Sequence, residues 1–320
     1  MDKRLQLMTA GAEDLEQWML DAIRQGLAAL DKRDEEWSNI ASRMIDAKSR
    51  GLAEQIKIIA TDREEGWPER MMETFGQLYL STQGIQNFEK LPEALKEQVL
   101  QVAGVTIRQK ELLEQEGIQD HWLVLSRWQG INREEAAMQK TWLYGLEAQQ
   151  IALLIEFDYM GDGFKHHFQI GQTLKGELIY FPQSYPVRAL LKNWAVAEKT
   201  ESTLIPFADT AAFLREYAKA LTANPWLTRF PLLIENMIPL REEDHFFLLD
   251  KEEKVIPMTM KDIAGWTLLS ISATKPLILF GEWDGKSFHP LAVFMGQRFV
   301  DLGAMVSDIS GAKRFGGFGR

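Results

Sequence analysis

The period of the apolar residues changes near residue 120, and that change sets the class of this chain. Over residues 5–30, Leu5, Met8, Ala12, Leu15, Met19, Ile23, Leu27 and Leu30 recur at steps of three and four. Residues so spaced share one face of an α-helix, here roughly 39 Å long. Beyond Asp120 the runs are short and either solidly apolar or alternating, as in residues 121–125, 139–144 and 151–159. That is the pattern of strands. A chain with this switch is expected to be α+β: a helical N-terminal domain followed by antiparallel β-rich central and C-terminal domains.

Punctuation divides the helical part. Asp34-Glu35-Glu36 suits the positive end of a second helix, with Trp37, Ile40, Met44 and Ile45 as its stripe and Gly51 as its break. Gly66-Trp67-Pro68 opens the next helix, which should bury Met71, Phe75, Leu78, Tyr79 and Phe88. Pro92 starts another, closed by Gly104. Thr106 to Gln109 reads as a capping box for a short helix ending at Gly117. Further on, Asp209 can cap a helix that Asn224-Pro225 ends. Residues 276–282 and 290–295 form a hairpin around Trp283-Asp284-Gly285-Lys286. The expected division is residues 1–117 (helical), 118–200 (small antiparallel β), 201–310 (α+β) and 311–320 (a disordered tail). No repeat of fixed period is present.

Composition narrows the function. Apolar residues are 46% and charged residues 26%, as in an ordinary globular chain. The net charge of −10 opposes a broad nucleic-acid surface and an anionic membrane. With no cysteine there is no disulfide, thiolate zinc site or cysteine nucleophile. No apolar run approaches the ~18 residues of a membrane span, and the start lacks the apolar core of a secretion signal. The expected location is the cytoplasm.

Motifs of chemistry are sparse. His166-His167 with Asp162 is the nearest approach to a metal cluster, but adjacent strand residues point to opposite faces, so solvent-facing histidines beside a turn are expected instead. His121, His245 and His289 are isolated, and Ser184 and Ser287 lie in loop-like contexts without a nucleophile elbow. The carboxylate runs Glu64-Glu65, Glu134-Glu135 and Glu242-Glu243-Asp244 sit among polar residues, as solvated surface does. No catalytic residue, cofactor or metal site is therefore assigned. Of ten tryptophans, Trp18, Trp37, Trp67, Trp122 and Trp142 are expected in cores. Trp128, Trp226 and Trp283 lie near loops and are the candidates for interface anchors. The tail from Lys313 to Arg320 interleaves basic and aromatic residues, a pattern able to touch nucleic acid weakly.

Several stretches, in order, carry a family likeness: Asp14-Leu15-Glu16-Gln17-Trp18, Arg24-Gln25-Gly26-Leu27-Ala28-Ala29-Leu30, Arg43-Met44-Ile45-Asp46-Ala47, Gly51-Leu52-Ala53, and Gly66-Trp67-Pro68-Glu69-Arg70. Thr141-Trp142-Leu143, Tyr180-Phe181-Pro182, Asn224-Pro225-Trp226-Leu227 and Phe280-Gly281-Glu282-Trp283-Asp284-Gly285 continue it. Together they resemble the region downstream of the zinc finger in the bacterial SWIM zinc-finger family. The finger itself needs cysteines that this chain lacks, so no zinc ligand carries over. Two origins stay open: part of a larger product, or a member that lost its finger. The resemblance implies a non-enzymatic protein-interaction module. It would act as an adaptor or scaffold beside a MoxR-type AAA+ ATPase and a von Willebrand A-domain protein. The alternatives are a nucleic-acid-associated accessory region and an unrecognised hydrolase.

Overall fold

The computed structural model describes residues 3–27, 30, 34–62, 64–131, 136–198, 204–296 and 298–303. The basic-aromatic tail and the Glu134-Glu135 pair lie outside them. The chain is α+β, with a helical N-terminal part and two sheets behind it.

The helical part comprises α1 (Lys3–Gln25), α2 (Asp34–Asp46), α3 (Arg50–Ala60), α4 (Trp67–Gln86), α5 (Glu93–Val102) and the short α6 (Gln109–Leu113). The stripe of α1 is buried at Leu5, and at Met8, Ala12, Leu15 and Met19 it joins one core with Ile40, Met44, Leu52, Ile56, Met71 and Phe75. Trp18, Trp37 and Phe75 pack edge-on and tilted in the middle, with centroids 5.1, 5.8 and 6.2 Å apart. The indole of Trp37 donates to the Leu30 carbonyl at 3.1 Å, so its polar edge is satisfied inside the core.

Three local expectations are corrected. The break between α2 and α3 falls at residues 47–49, where Lys48 turns with φ 61, and Gly51 lies inside α3. Gly51 is required there by close packing: an added Cβ would sit 2.1 Å from the Val102 carbonyl. Tyr79 is 43% exposed, because the buried stripe of α4 runs through Phe75, Leu78 and Thr82 and leaves Tyr79 and Leu80 on its outer side. The capping box does not form: Arg108 precedes α6 with no side-chain cap.

The β part holds two units with the same wiring. In the first, β1 (Ile118–Ile131), β2 (Ala137–Gly145), β3 (Ile151–Asp158), β4 (Thr173–Tyr180) and β5 (Ala189–Val196) pair in the order β3-β2-β1-β4-β5. The ends of this sheet meet. Leu153 bridges Arg188 in parallel and donates to the Val187 carbonyl at 2.7 Å. After α7 (Thr210–Ala223) come β6 (Phe230–Glu242), β7 (His245–Leu249), β8 (Val255–Met258), α8 (Asp262–Ser272), β9 (Leu277–Trp283), β10 (Phe288–Met295) and β11 (Arg298–Asp301). Here β6 pairs with β7, β7 with β8, β8 with β10 in parallel, β10 with β9, and β9 with β6.

Each unit is therefore a five-stranded barrel closed in the order first-second-third-fifth-fourth, with the third and fifth strands parallel. That is the connectivity of the OB-fold, a partly open Greek-key barrel. In both, the first strand is long and its register shifts partway, near Ser126 and near Asn236, which lets one strand serve both sides of a small barrel. The structure is thus duplicated where the sequence shows no repeat.

The first barrel is filled by Trp122, Val124, Leu143, Leu154, Phe168, Leu174, Leu178 and Leu191. The outer face of its β1–β3 sheet carries Leu123, Leu125, Met138, Trp142, Tyr144, Leu153 and Ile155, and these join the core of the second barrel. The helical part touches both barrels at equivalent places. Gln101 on α5 donates to the Pro182 carbonyl (2.8 Å) and accepts from Gln183 (2.9 Å) in the β4–β5 loop. Glu73 on α4 pairs with Lys286 in the β9–β10 hairpin.

Candidate functional site

The three candidate tryptophans are engaged within the molecule. Trp283 is 7% exposed, with its ring against Phe213 and Tyr217. Its place near a hairpin signalled a surface position, but it is the last strand residue and points inward. Trp226 donates from Nε1 to Ser81 Oγ at 2.8 Å and lies over Gly84, so it anchors the second barrel to α4. Trp128 is half-buried at the edge of the inter-barrel core, its ring 5.9 Å from the Lys140 ammonium.

Two tryptophans among the described residues are exposed, Trp194 at 38% and, more open, Trp266 at 51%. Trp266 was missed as an anchor because it lies on a helix rather than near a loop. Its signal was present, since α8 is apolar on every side. Gly265 lets α8 approach the barrel: a Cβ there would meet the Phe246 ring at 2.3 Å. Trp266 and Ile263 (64% exposed) share the outward face, and the Arg241 guanidinium stacks 4.8 Å from the indole.

Between the barrels lies a buried polar seam. Trp142 on β2 donates to Glu282 on β9 at 3.1 Å. Arg229 faces both Glu282 (3.9 Å) and Asp284 (3.6 Å). Asp284 Oδ2 is 2.7 Å from His289 Nε2. Burial pushes the Asp284 carboxyl up, but the bond to His289 and the backbone N–H groups of Ser287 and Lys286 outweigh it and hold the group below the usual range. Lys140 is buried in the same seam. Burial pushes its ammonium down, Glu282 opposes that, and Arg229 adds to it.

Ser287, His289 and Asp284 thus come together, although the sequence showed them only as isolated residues. Their order is not that of a proton relay. Both Ser287 Oγ (3.4 Å) and Asp284 address the same nitrogen of His289, whereas a triad uses opposite nitrogens. Ser287 Oγ also accepts from Thr259 at 2.8 Å. The cluster closes the β9–β10 hairpin.

The other histidines are dispersed. His166 is buried rather than solvent-facing, with Nδ1 2.9 Å from Glu156 and its ring stacked on Phe168 and edge-on to Trp194. Loop residues 159–172 fold it back over the barrel, while His167 and Asp162 stay exposed. Asp120, His121 and Glu147 bring one potential metal-ligand atom each within 4.8 Å of the others. The Asp120 oxygens, however, accept backbone N–H groups of His121 (2.6 Å), Glu147 (3.1 Å) and Ala148 (2.8 Å). Its carboxylate clamps the β2–β3 turn. No described helix is long and apolar enough to cross a membrane.

The class is therefore a helical bundle docked on two Greek-key barrels, with polar contacts that hold parts together. Residues 3–103, the bundle through α5, match the family of the SWIM-associated four-helix bundle domain. The match bears out the resemblance for the N-terminal third. No curated protein and no solved structure matches the chain.

Proposed function

We propose that this chain is a non-enzymatic protein-interaction module of the cytoplasm. In this reading it is an adaptor or scaffold working with a MoxR-type AAA+ ATPase and a von Willebrand A-domain protein. The carrying observation is the match of residues 3–103 to the SWIM-associated bundle, together with the ordered segments that continue the resemblance beyond it. The geometry is compatible. The gathered polar side chains clamp turns and seams, and exposed large apolar side chains remain at Ile263, Trp266, Val255 and Leu240. Such side chains in groups mark interaction surfaces.

Affinity capture from the host lysate with and without ATP, read by mass spectrometry, tests this. Recovery of the ATPase or the A-domain protein is expected. Recovery of neither overturns it.

A second reading is a nucleic-acid-associated accessory region, favoured by the barrel connectivity, since such barrels bind oligonucleotides on the sheet of their second and third strands. Two features oppose it: the first barrel's face is covered by the second barrel, and the chain is strongly acidic. Fold alone does not assign function. Retention of RNA or DNA that falls with salt would favour this reading. An unrecognised hydrolase is the third, and hydrolysis abolished by Ser287→Ala would favour it.

A further inference from the structure

The outer face of β6, β7 and β8 is an apolar surface with an acidic rim. Residues paired across neighbouring strands share a face. Ile238, Leu249 and Val255 form one row, and Leu240, Phe247 and Pro257 form the next. The alternate rows, Pro239-Leu248-Ile256 and Arg241-Phe246-Met258, turn toward the barrel interior and α8. Val255 is 54% exposed and Leu240 40%, and none of the six outward residues belongs to a hydrophobic core cluster.

The equivalent face of the first barrel is a protein-docking face already. Its Trp142, Tyr144, Leu153 and Ile155 are buried against the second barrel. One molecule thus uses this face once and presents it once more.

The rim selects the occupant. Residues 235–257 carry seven carboxylates against three basic groups. Glu242, Glu243 and Asp244 sit at one end of the face, and Glu252 and Glu253 at the other. Arg241 stacks on Trp266 and pairs with Asp244 at 2.9 Å, which leaves Glu242, Glu243, Glu252 and Glu253 as the rim's excess charge. Phosphate backbones are repelled by such a rim, and so is the same face of a second copy. A cationic polypeptide is attracted.

We infer that this face docks a cationic polypeptide segment of a partner protein. The segment's apolar side chains lie over Leu240, Phe247 and Val255, and its lysines or arginines meet the carboxylates of the two hairpins. The inference rests on the interaction-module reading and names the chemistry of the partner.

Fluorescence anisotropy tests it on the full chain, with a labelled ten-residue peptide of alternating lysine and leucine. The controls are an alternating glutamate–leucine peptide and a twelve-residue oligo-dT. The lysine peptide alone should bind, more weakly as salt rises. Leu240→Lys with Val255→Lys should weaken it at least tenfold without lowering the melting temperature. Glu242→Gln with Glu252→Gln should weaken it several-fold and flatten the salt dependence. No binding, binding unchanged in both double variants, or oligo-dT bound at wild-type level and lost in the lysine variant overturns the inference. If an AAA+ ATPase is captured equally by the wild-type and lysine-variant proteins, the face is overturned and the adaptor reading stands. If the peptide binds as described while no ATPase is captured, the face stands and the adaptor reading falls.

Discussion

At the scale of single residues, the seam between the barrels is where charge matters. Asp284 is held below the usual carboxylate range by His289 and two backbone N–H groups despite its burial. A group with a depressed folded pKa stabilises fully above its unfolded pKa, about 4, and loses that contribution as pH falls further. Asp284→Asn should therefore cost ~1–3 kcal/mol at pH 7, with the gap narrowing below about pH 4. Urea unfolding at pH 7 and pH 3 measures this, and an equal gap at both values contradicts it. Lys140 has the opposite sense, since burial makes its charge costly. Lys140→Met should change stability by less than ~1 kcal/mol or raise it, because a hydrophobe of similar volume removes a buried charge. A loss above ~2 kcal/mol would mean that its pairing with Glu282 outweighs desolvation. These side chains were invisible as a group in the sequence. Arg229, Glu282 and His289 meet through the second barrel's own strand pairing, and Lys140 joins them only by the packing of the first barrel on it.

At the scale of elements, much was legible. The proline start of α4, the Asp209 cap and the β9–β10 hairpin follow from local rules and are present, as is the stripe of α1 from Leu5 to Met19; Ile23 is 45% exposed, and the helix ends at Gln25, before Leu27 and Leu30. The Asp209 carboxylate accepts from the Ala212 N–H at 2.8 Å, as a cap should. Errors arose where tertiary packing chose. Gly51 signalled a break but serves a backbone crossing with Val102 and Gly104. His166 was read from strand alternation, yet it lies in a loop that folds over the barrel. Helix α8 carries apolar residues on two sides, one packed on Phe246 at Gly265 and one outward at Ile263 and Trp266. Gly265→Ala should overpack that contact and cost ~1–3 kcal/mol, measured by thermal unfolding. An unchanged melting temperature would show that α8 can lift from the barrel freely.

At the scale of the whole molecule, specific side-chain contacts join the bundle to the barrels, among them Gln101 to Pro182, Glu73 to Lys286 and Trp226 to Ser81. Trp226→Ala removes the indole bond to Ser81 and the packing on Gly84. Separate unfolding transitions should then appear in calorimetry where the wild type shows greater coupling, and an unchanged profile contradicts that role for Trp226. The duplicated wiring was beyond reach of the sequence, because barrel closure depends on pairings such as Leu153 with Arg188 and Met258 with Phe288, which no periodicity encodes. The partner surface was likewise sought at loop tryptophans, while the structure exposes a sheet face and a helix.

The proposed function is the binding of proteins, foremost an AAA+ ATPase. Sedimentation velocity of the purified chain mixed with the MoxR-type ATPase of its host, with and without ATP, tests it most directly. The account predicts a faster boundary containing both proteins in at least one nucleotide state. Independent sedimentation of the two in every nucleotide state would contradict it.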